Sequence, residues 1–332
     1  MASRDPARPN VLFVLSDDQR AYALGCGGNP EISTPVLDRL AAAGMRFDNF
    51  FCTSPVCSPA RASLLTGDVP SRHGVHDWVR VGSMPPTRID YLAGQTLVTD
   101  VLAGHSYRCA LVGKWHLGAS DVPRSSFVEW FGHQSGNGAL LRSAHGRARS
   151  RVRCVGLHHG RARRSGGIVR AQRGRVSRAV LLVDYLGVRY VPERPKPGRS
   201  FRALLEGGSA DNGREVVVYD EYGPVRMVRT AAWKYVHRYP AGPHELFDLA
   251  ADPGERDNRV GDPTHARVVS MLRERLERWF ETYVDPRRDG VDKGVTGCGP
   301  LARVEDHSPG KPVFADRHLS NADWDLWLEG TQ

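Results

Sequence analysis

No Cys-x-x-Cys pair occurs in the chain, so its six cysteines (Cys26, Cys52, Cys57, Cys109, Cys154 and Cys298) do not read as a zinc site of that kind. Their spacings are not paired either, which argues for free thiols in a reducing compartment over a disulfide framework. Long apolar runs are missing. The run over residues 11–15, "VLFVL", is far too short to cross a bilayer, so no membrane association is expected. The first ten residues, "MASRDPARPN", lack an apolar h-region; no signal peptide and a cytoplasmic product are the expectation.

Acids and lysine are absent from one stretch. Between Trp130 and Val183 there are twelve arginines with no lysine, aspartate or glutamate. The overall charge of +9 comes from there, because the rest carries 34 basic and 37 acidic residues, a net of −3. The basicity therefore belongs to one segment and does not argue for a nucleic-acid-binding surface.

What is present reads as a soluble globular protein, with 40% hydrophobic and 25% charged residues. A length of 332 residues suits one large α/β domain with a smaller appended part. "NVLFVLSDD" reads as a buried parallel strand ending in polar residues. "STPVLDRLAAAGMRF" predicts a helix with Thr34 as N-cap, Pro35 in its first turn and Gly44 as its stop. A second helix in "TLVTDVLAGH" leads to a strand in "YRCALVG". Alternating strands and helices predict a mostly parallel sheet covered on both faces. Residues 138–183 show no sustained period and read as disordered. Beyond them, "REVVVYDEYGPVRMVRTAAWKYVHRYP" predicts two or three antiparallel strands with a turn at Gly223-Pro224. "DPTHARVVSMLRERLERWFETYV" predicts an amphipathic helix, capped by Asp262, with Val268, Leu272, Leu276, Phe280 and Tyr283 on one face. The last part reads as loops.

The stretch "VCSPARASLLTG" sets Cys57 at a helix entrance with Pro59 inside it and Arg61 one turn on. Free N–H groups of a helix start near Ser58-Pro59 would face an anion there, and Arg61 could reach back toward residue 57. From five residues alone, a plain free cysteine before a proline-started helix reads equally well. "PNVLFVLSDDQ" adds Asp17 and Asp18 at a strand's carboxyl end, where α/β sheets hold ligands; a solvated strand end is the alternative. "ALVGKWHLG" places Lys114 and His116 at alternating positions after a strand, able to converge on one anion.

Taken together, these strings resemble the type I sulfatases, formylglycine-dependent members of the alkaline phosphatase superfamily. "TPVLDRLAAAGMRFDNFF", "PSRHGV" and "RTAAWKYVHRYPAGPHELFDLAADPGERDN" follow in family order. The resemblance implies an alkaline-phosphatase-like α/β fold, a mostly parallel sheet flanked by helices, with a small C-terminal antiparallel sheet and helix. It implies oxidation of Cys57 to formylglycine by a formylglycine-generating enzyme, whose hydrate attacks a sulfate ester. Asp17 and Asp18 would bind a divalent cation, Ca2+ or alternatively Mg2+. Arg61 would hold the nucleophile. Lys114 and His116 would contact the sulfate, the histidine giving a proton to the leaving alcohol. The substrate would be a small-molecule or sugar sulfate ester, with no specific nucleic acid bound. A phosphonate or phosphodiester hydrolase of the same superfamily, or an inactive remnant that binds polyanions, are the alternatives. His73 and His76 read as structural.

The resemblance divides the chain into a core over 9–138, an atypical segment over 139–183, a C-terminal part over 184–300 and a tail over 301–332. "LTGD" at Asp68 departs from the family's usual "LTGR". A further histidine, an acidic Asn-Gly or His-Gly string and a second lysine are expected in the middle and are not recognisable. Asp211-Asn212-Gly213 comes after "DYLGV", out of family order, and reads equally as a turn. Nothing positions His158-His159. The arginine, glycine and alanine excess over 139–183 is what a shifted GC-rich reading frame with a deletion would give; translating the other two frames tests this. Low or absent turnover and marginal stability are the expectation from those losses.

Overall fold

The computed structural model describes residues 9–20, 22–48, 50–79, 88–133, 140–143, 178–208, 216–220, 225–306, 308 and 311–316. The helices are α1 (Pro35–Ala43), α2 (Cys57–Thr66), α3 (Pro70–His73), α4 (Val98–Gly104), α5 (Arg178–Tyr185), α6 (Arg202–Leu205) and α7 (Ala266–Tyr283). The strands are β1 (Cys109–Gly113), β2 (Phe127–His133), β3 (Leu140–Ser143), β4 (Val216–Asp220), β5 (Val225–Arg229), β6 (Trp233–Arg238) and β7 (Glu245–Asp248).

Local signals place most of these elements. Helix α1 starts at Pro35 after Thr34 and stops before Gly44. The Thr34 hydroxyl does not cap the helix; it accepts from the Gly25 N–H (2.8 Å) and bonds Asp38 (2.9 Å). Helix α4 feeds β1, which runs parallel to β2 with Leu111 opposite Trp130. Strand β3 closes this three-stranded sheet antiparallel to β2. The core beside it is aromatic. Trp130 meets Trp115 and Phe127 edge to face at 5.0 and 5.2 Å, over Leu92, Leu97, Leu117 and Ala62.

Two expectations are corrected. Residues 11–15 are not a buried strand: they have no regular structure, with Leu12 76% and Val14 80% exposed. An apolar run becomes a strand only where a neighbour completes its ladder, and no described strand pairs with it. The segment 139–183 is also not irregular throughout. Leu140–Ser143 pairs with β2, and α5 begins at Arg178. Its remainder lies outside the described residues, as does the Gly223-Pro224 turn.

The C-terminal part is a four-stranded antiparallel meander, β4-β5-β6-β7; its first three strands fall in the stretch where two or three were expected, and β7 extends the sheet beyond it. Asp262 accepts from the Thr264 N–H (2.9 Å) and caps a short 3-10 turn, so α7 begins at Ala266. Leu272, Leu276, Trp279 and Phe280 pack on Val228, Tyr235 and Leu246, with Val268 and Tyr283 at the margin. On α7 the sequence pattern left out buried Trp279 and, at the margin, Val269. The expected loops after α7 hold a small core of their own, Val295, Val304, Val313 and Phe314.

Beneath α7, the Arg226 guanidinium lies 3.9 Å from the Phe280 ring centre and bonds both Asp289 oxygens at 2.8 and 2.6 Å. The Arg226 side chain is only 8% exposed, so deleting its partner strands a buried charge. Asp289→Leu is expected to lower stability by about 3 kcal/mol, and Arg226→Met with Asp289→Leu to recover most of it. Urea unfolding of both variants checks this, and equal midpoints for the two would contradict it.

Candidate active site

Helix α2 is pinned on one side and open on the other. Ala62 is fully buried in the aromatic core, and the buried Ser58 hydroxyl accepts from the Val79 N–H (2.9 Å). Gly67, at φ 73°, ends the helix with its N–H on the Ser63 carbonyl. The chain enters from extended Val56, and Cys57 is already the first helical residue, with Pro59 in the first turn where a missing N–H does no harm. Cys57, Arg61 and Leu64, one helical stripe, face a cleft of about 740 Å³.

The cations converge at the mouth of that stripe. Lys114 Nζ donates to Asp17 Oδ2 (2.8 Å) and to Cys57 Sγ (3.3 Å). Arg61 Nη1 donates to the Lys114 carbonyl (2.5 Å), and Nη2 lies 3.4 Å from Asp17 Oδ1. The expected reach of Arg61 back toward residue 57 is therefore replaced by a brace on Lys114 and Asp17. Partial burial pushes the Asp17 pKa up, but the bond and charge of Lys114 and the charge of Arg61 outweigh it, leaving the carboxyl below its ordinary range. Asp18, at a left-handed φ of 53°, lines the same cleft.

His116 also lines the cleft, at a strained φ of 59°, and is 6% exposed. Burial first, then the charges of Lys114 and Arg61, lowers its pKa to about 4. At neutral pH the ring is uncharged. One nitrogen faces the Val79 carbonyl, and buried Nδ1 has no hydrogen-bond partner. The resemblance expects this histidine to give a proton to the leaving alcohol, and its burial keeps the ring neutral at neutral pH.

The two other histidines are structural, as expected. His73 is fully buried, with Nε2 on Ser63 Oγ (2.8 Å) and Nδ1 accepting from Val75 N–H (3.1 Å). Burial holds its pKa well below the ordinary value. His76 Nε2 meets the Arg288 carbonyl (2.6 Å). Asp68 is buried because two cations reach it: Lys196 Nζ at 2.6 Å and Arg72 Nε at 3.3 Å. Lys196 carries no sequence signal, since it meets Asp68 across 128 positions, and its neighbours Pro197 and Gly198 line the cleft.

A cation fits the described residues only in part. A calcium ion takes about six to eight oxygen ligands. Asp17 and Asp18 fall short of that, Asp17 is already matched by Lys114, and no cluster of three or more acidic, histidine or cysteine side chains occurs among the described residues. Asp211-Asn212-Gly213 and His158-His159 lie outside the described residues.

Comparison with known proteins bears on this arrangement. Residues 9–149 match the Sulfatase family model, and residues 174–282 match the model for the C-terminal part of N-sulphoglucosamine sulphohydrolase. The chain is 40% identical to human arylsulfatase A over 120 residues, 36% of this chain and 23% of that protein. It is 39% identical to human N-acetylgalactosamine-6-sulfatase over 138 residues, 40% of this chain and 26% of that protein. The chain thus spans about a quarter of the length of the curated relatives it matches. In fold it is similar to a solved protein in complex with its substrate D-glucosamine-2-N,6-O-disulfate, at TM-score 0.60 and 16% identity over 83% of this chain and 98% of that one. It is also similar to the phosphonate monoester hydrolase of Agrobacterium radiobacter, at TM-score 0.56 and 16% identity over 84% and 96% of the two chains. Matching two sulfatase models in sequence order, over residues 9–149 and 174–282, the chain belongs to the type I sulfatase family, sulfuric ester hydrolases that generally use formylglycine and a divalent cation.

Proposed function

We propose that this chain hydrolyses sulfate esters at residue 57. The observation that carries the reading is the Lys114 ammonium, held between Asp17 and the Cys57 sulfur. Oxidised to formylglycine and hydrated, residue 57 would supply one oxygen to attack sulfur and a second to release sulfate. That group fits here, because Cys57 opens on the cleft at the first turn of α2, among cations suited to an anion. Lys114 neutralises a sulfate oxygen and draws the ester toward residue 57. Arg61 fixes Lys114 through its carbonyl and Asp17 through its carboxylate. Neutral His116, with Nδ1 free as an acceptor, takes a proton from the attacking group or its neighbour. Only Asp17 and Asp18 are available to a divalent cation here among the described residues, and calcium is expected to bind weakly by calorimetry.

Fold likeness alone also reaches a phosphonate hydrolase, but both sequence models and the named relatives are sulfatases. The test is hydrolysis of a chromogenic aryl sulfate, with an aryl phosphonate beside it, after co-expression with a formylglycine-generating enzyme. Mass spectrometry of the Cys57 peptide reports the oxidation. Hydrolysis that falls to background in Cys57→Ala supports the reading. No sulfate release from the fully oxidised chain rejects it.

A further inference from the structure

The wall of the cleft carries a second polar group, away from the cations. Thr53, in the chain that enters α2, and Ser63, on α2 itself, both line the cleft. Ser63 lies six residues beyond Cys57, about 9 Å along the helix axis, so the pair stands apart from the sulfate end. Thr53 Oγ1 and Ser63 Oγ are hydrogen-bonded at 2.6 Å, and His73 Nε2 lies 2.8 Å from the same Ser63 oxygen.

The hydrogens of these three side chains do not all find acceptors among themselves. His73 Nδ1 accepts the Val75 N–H at 3.1 Å, so it carries no hydrogen of its own. Burial holds the His73 pKa well below its ordinary value and keeps the ring neutral. The ring hydrogen therefore sits on Nε2 and is donated to Ser63. Between the two hydroxyls, one hydrogen makes the 2.6 Å bond. The other is left over whichever hydroxyl donates, and among the described residues no acceptor takes it. His73 cannot, because its Nε2 is itself a donor. The cleft wall thus presents a hydroxyl donor with no acceptor in the protein.

We propose that the Thr53–Ser63 pair is a specificity-determining donor, bonding an acceptor oxygen in the organic part of an ester whose sulfate lies at Lys114 and Cys57. His73 is a positioning residue in this: it fills an acceptor site on Ser63 and leaves the spare hydrogen to the cleft. The ligand class is a sulfate ester with a carbonyl, ether or hydroxyl oxygen at the far end of its alcohol part. An ester without one strands the hydroxyl away from water, which costs affinity. This rests on the reading of the Cys57 cleft as the sulfate end.

The test is calorimetry on the full chain with Cys57 unoxidised. The probes are 4-acetylphenyl sulfate, 4-isopropylphenyl sulfate (the same shape without the carbonyl) and inorganic sulfate. The acetyl ester is expected to bind the wild-type chain about three- to tenfold more tightly, the range for one hydrogen bond. Thr53→Val keeps the Ser63 hydroxyl and its His73 bond, so the preference should persist. Thr53→Val with Ser63→Ala removes both hydroxyls, and the preference should disappear while inorganic sulfate binds as before. Thermal melting shows whether that double variant is folded. Equal affinity of the two esters for the wild-type chain overturns the proposal, a result that needs no variant. A preference that survives in the folded double variant overturns it too. The donor and the sulfate end can fail separately. If the preference is present and goes with the hydroxyls while inorganic sulfate does not compete, the donor stands and the sulfate end falls. If sulfate competes but the two esters bind alike, the sulfate end stands and the donor falls. If neither ester binds, both fall.

Discussion

Lys114→Met is expected to lower aryl-sulfate turnover by about two to three orders of magnitude, the range for removing one preorganised charge from a reacting anion. Lys114 is the side chain in contact with both Asp17 and the residue-57 sulfur, at 2.8 and 3.3 Å. Its loss should leave the fold standing, because the Asp17 side chain is 49% exposed and water can take over its solvation. A second readout separates electrostatics from packing. The Lys114 charge is one of the causes that lower the His116 pKa from 6.5 to about 4. A group whose pKa is lowered stays neutral down to that lower pH. Removing the cation lets the pKa rise, so protonation of His116, and the acid limb of the rate profile, should move to higher pH. Lys114→Arg keeps a charge nearby and should leave that limb closer to its original place. A rate loss with an unmoved limb would show that Lys114 acts by shape and not by its field.

Gly118→Ala is expected to cost about 4 kcal/mol or more, enough to unfold the aromatic half of the chain. Gly118 has a φ of +89°, and a Cβ there would lie 1.8 Å from the Ile89 carbonyl oxygen and 3.1 Å from the Tyr91 ring. That carbonyl cannot withdraw, since it accepts the Ala119 N–H at 3.1 Å where Asp90 and Gly118 form a bridge. The neighbours make the damage spread. Leu117 is fully buried and Trp115 is 4% exposed, both in the core behind α2, and His116 lies between them. Gly94→Ala is the control, with a similar φ of +70° and nothing within 4 Å of its Cβ. It should lose only the backbone term, about 1–2 kcal/mol. Comparing the two by urea unfolding isolates the contact from the conformation, and similar midpoints would mean the Ile89 contact is not there.

Much of the fold was legible in one dimension because its causes are local. Pro35 and Gly44 bound α1, Gly67 ends α2, and Leu272, Leu276 and Phe280 repeat every fourth residue along α7. The chemical strings were contiguous too, Cys57 to Arg61 on one helix and Lys114 to His116 after one strand, so their residue types could be recognised before any contact was known. The exposed run over residues 11–15 marks where this reasoning stops. Its composition asks for burial, but whether a strand forms depends on a neighbour elsewhere in the chain.

The amino-acid sequence by itself therefore determined the family, the element types and the candidate groups at residues 17, 18, 57, 61, 114 and 116. Tertiary structure alone decided what those groups are. It paired Asp17 with Lys114 across 97 positions and Asp68 with Lys196 across 128. It turned His116 into a neutral acceptor by burying it beside two cations. Periodicity and capping act between near neighbours and are written along the chain, whereas a charge's partner and a ring's solvation are set in space by segments far apart in sequence.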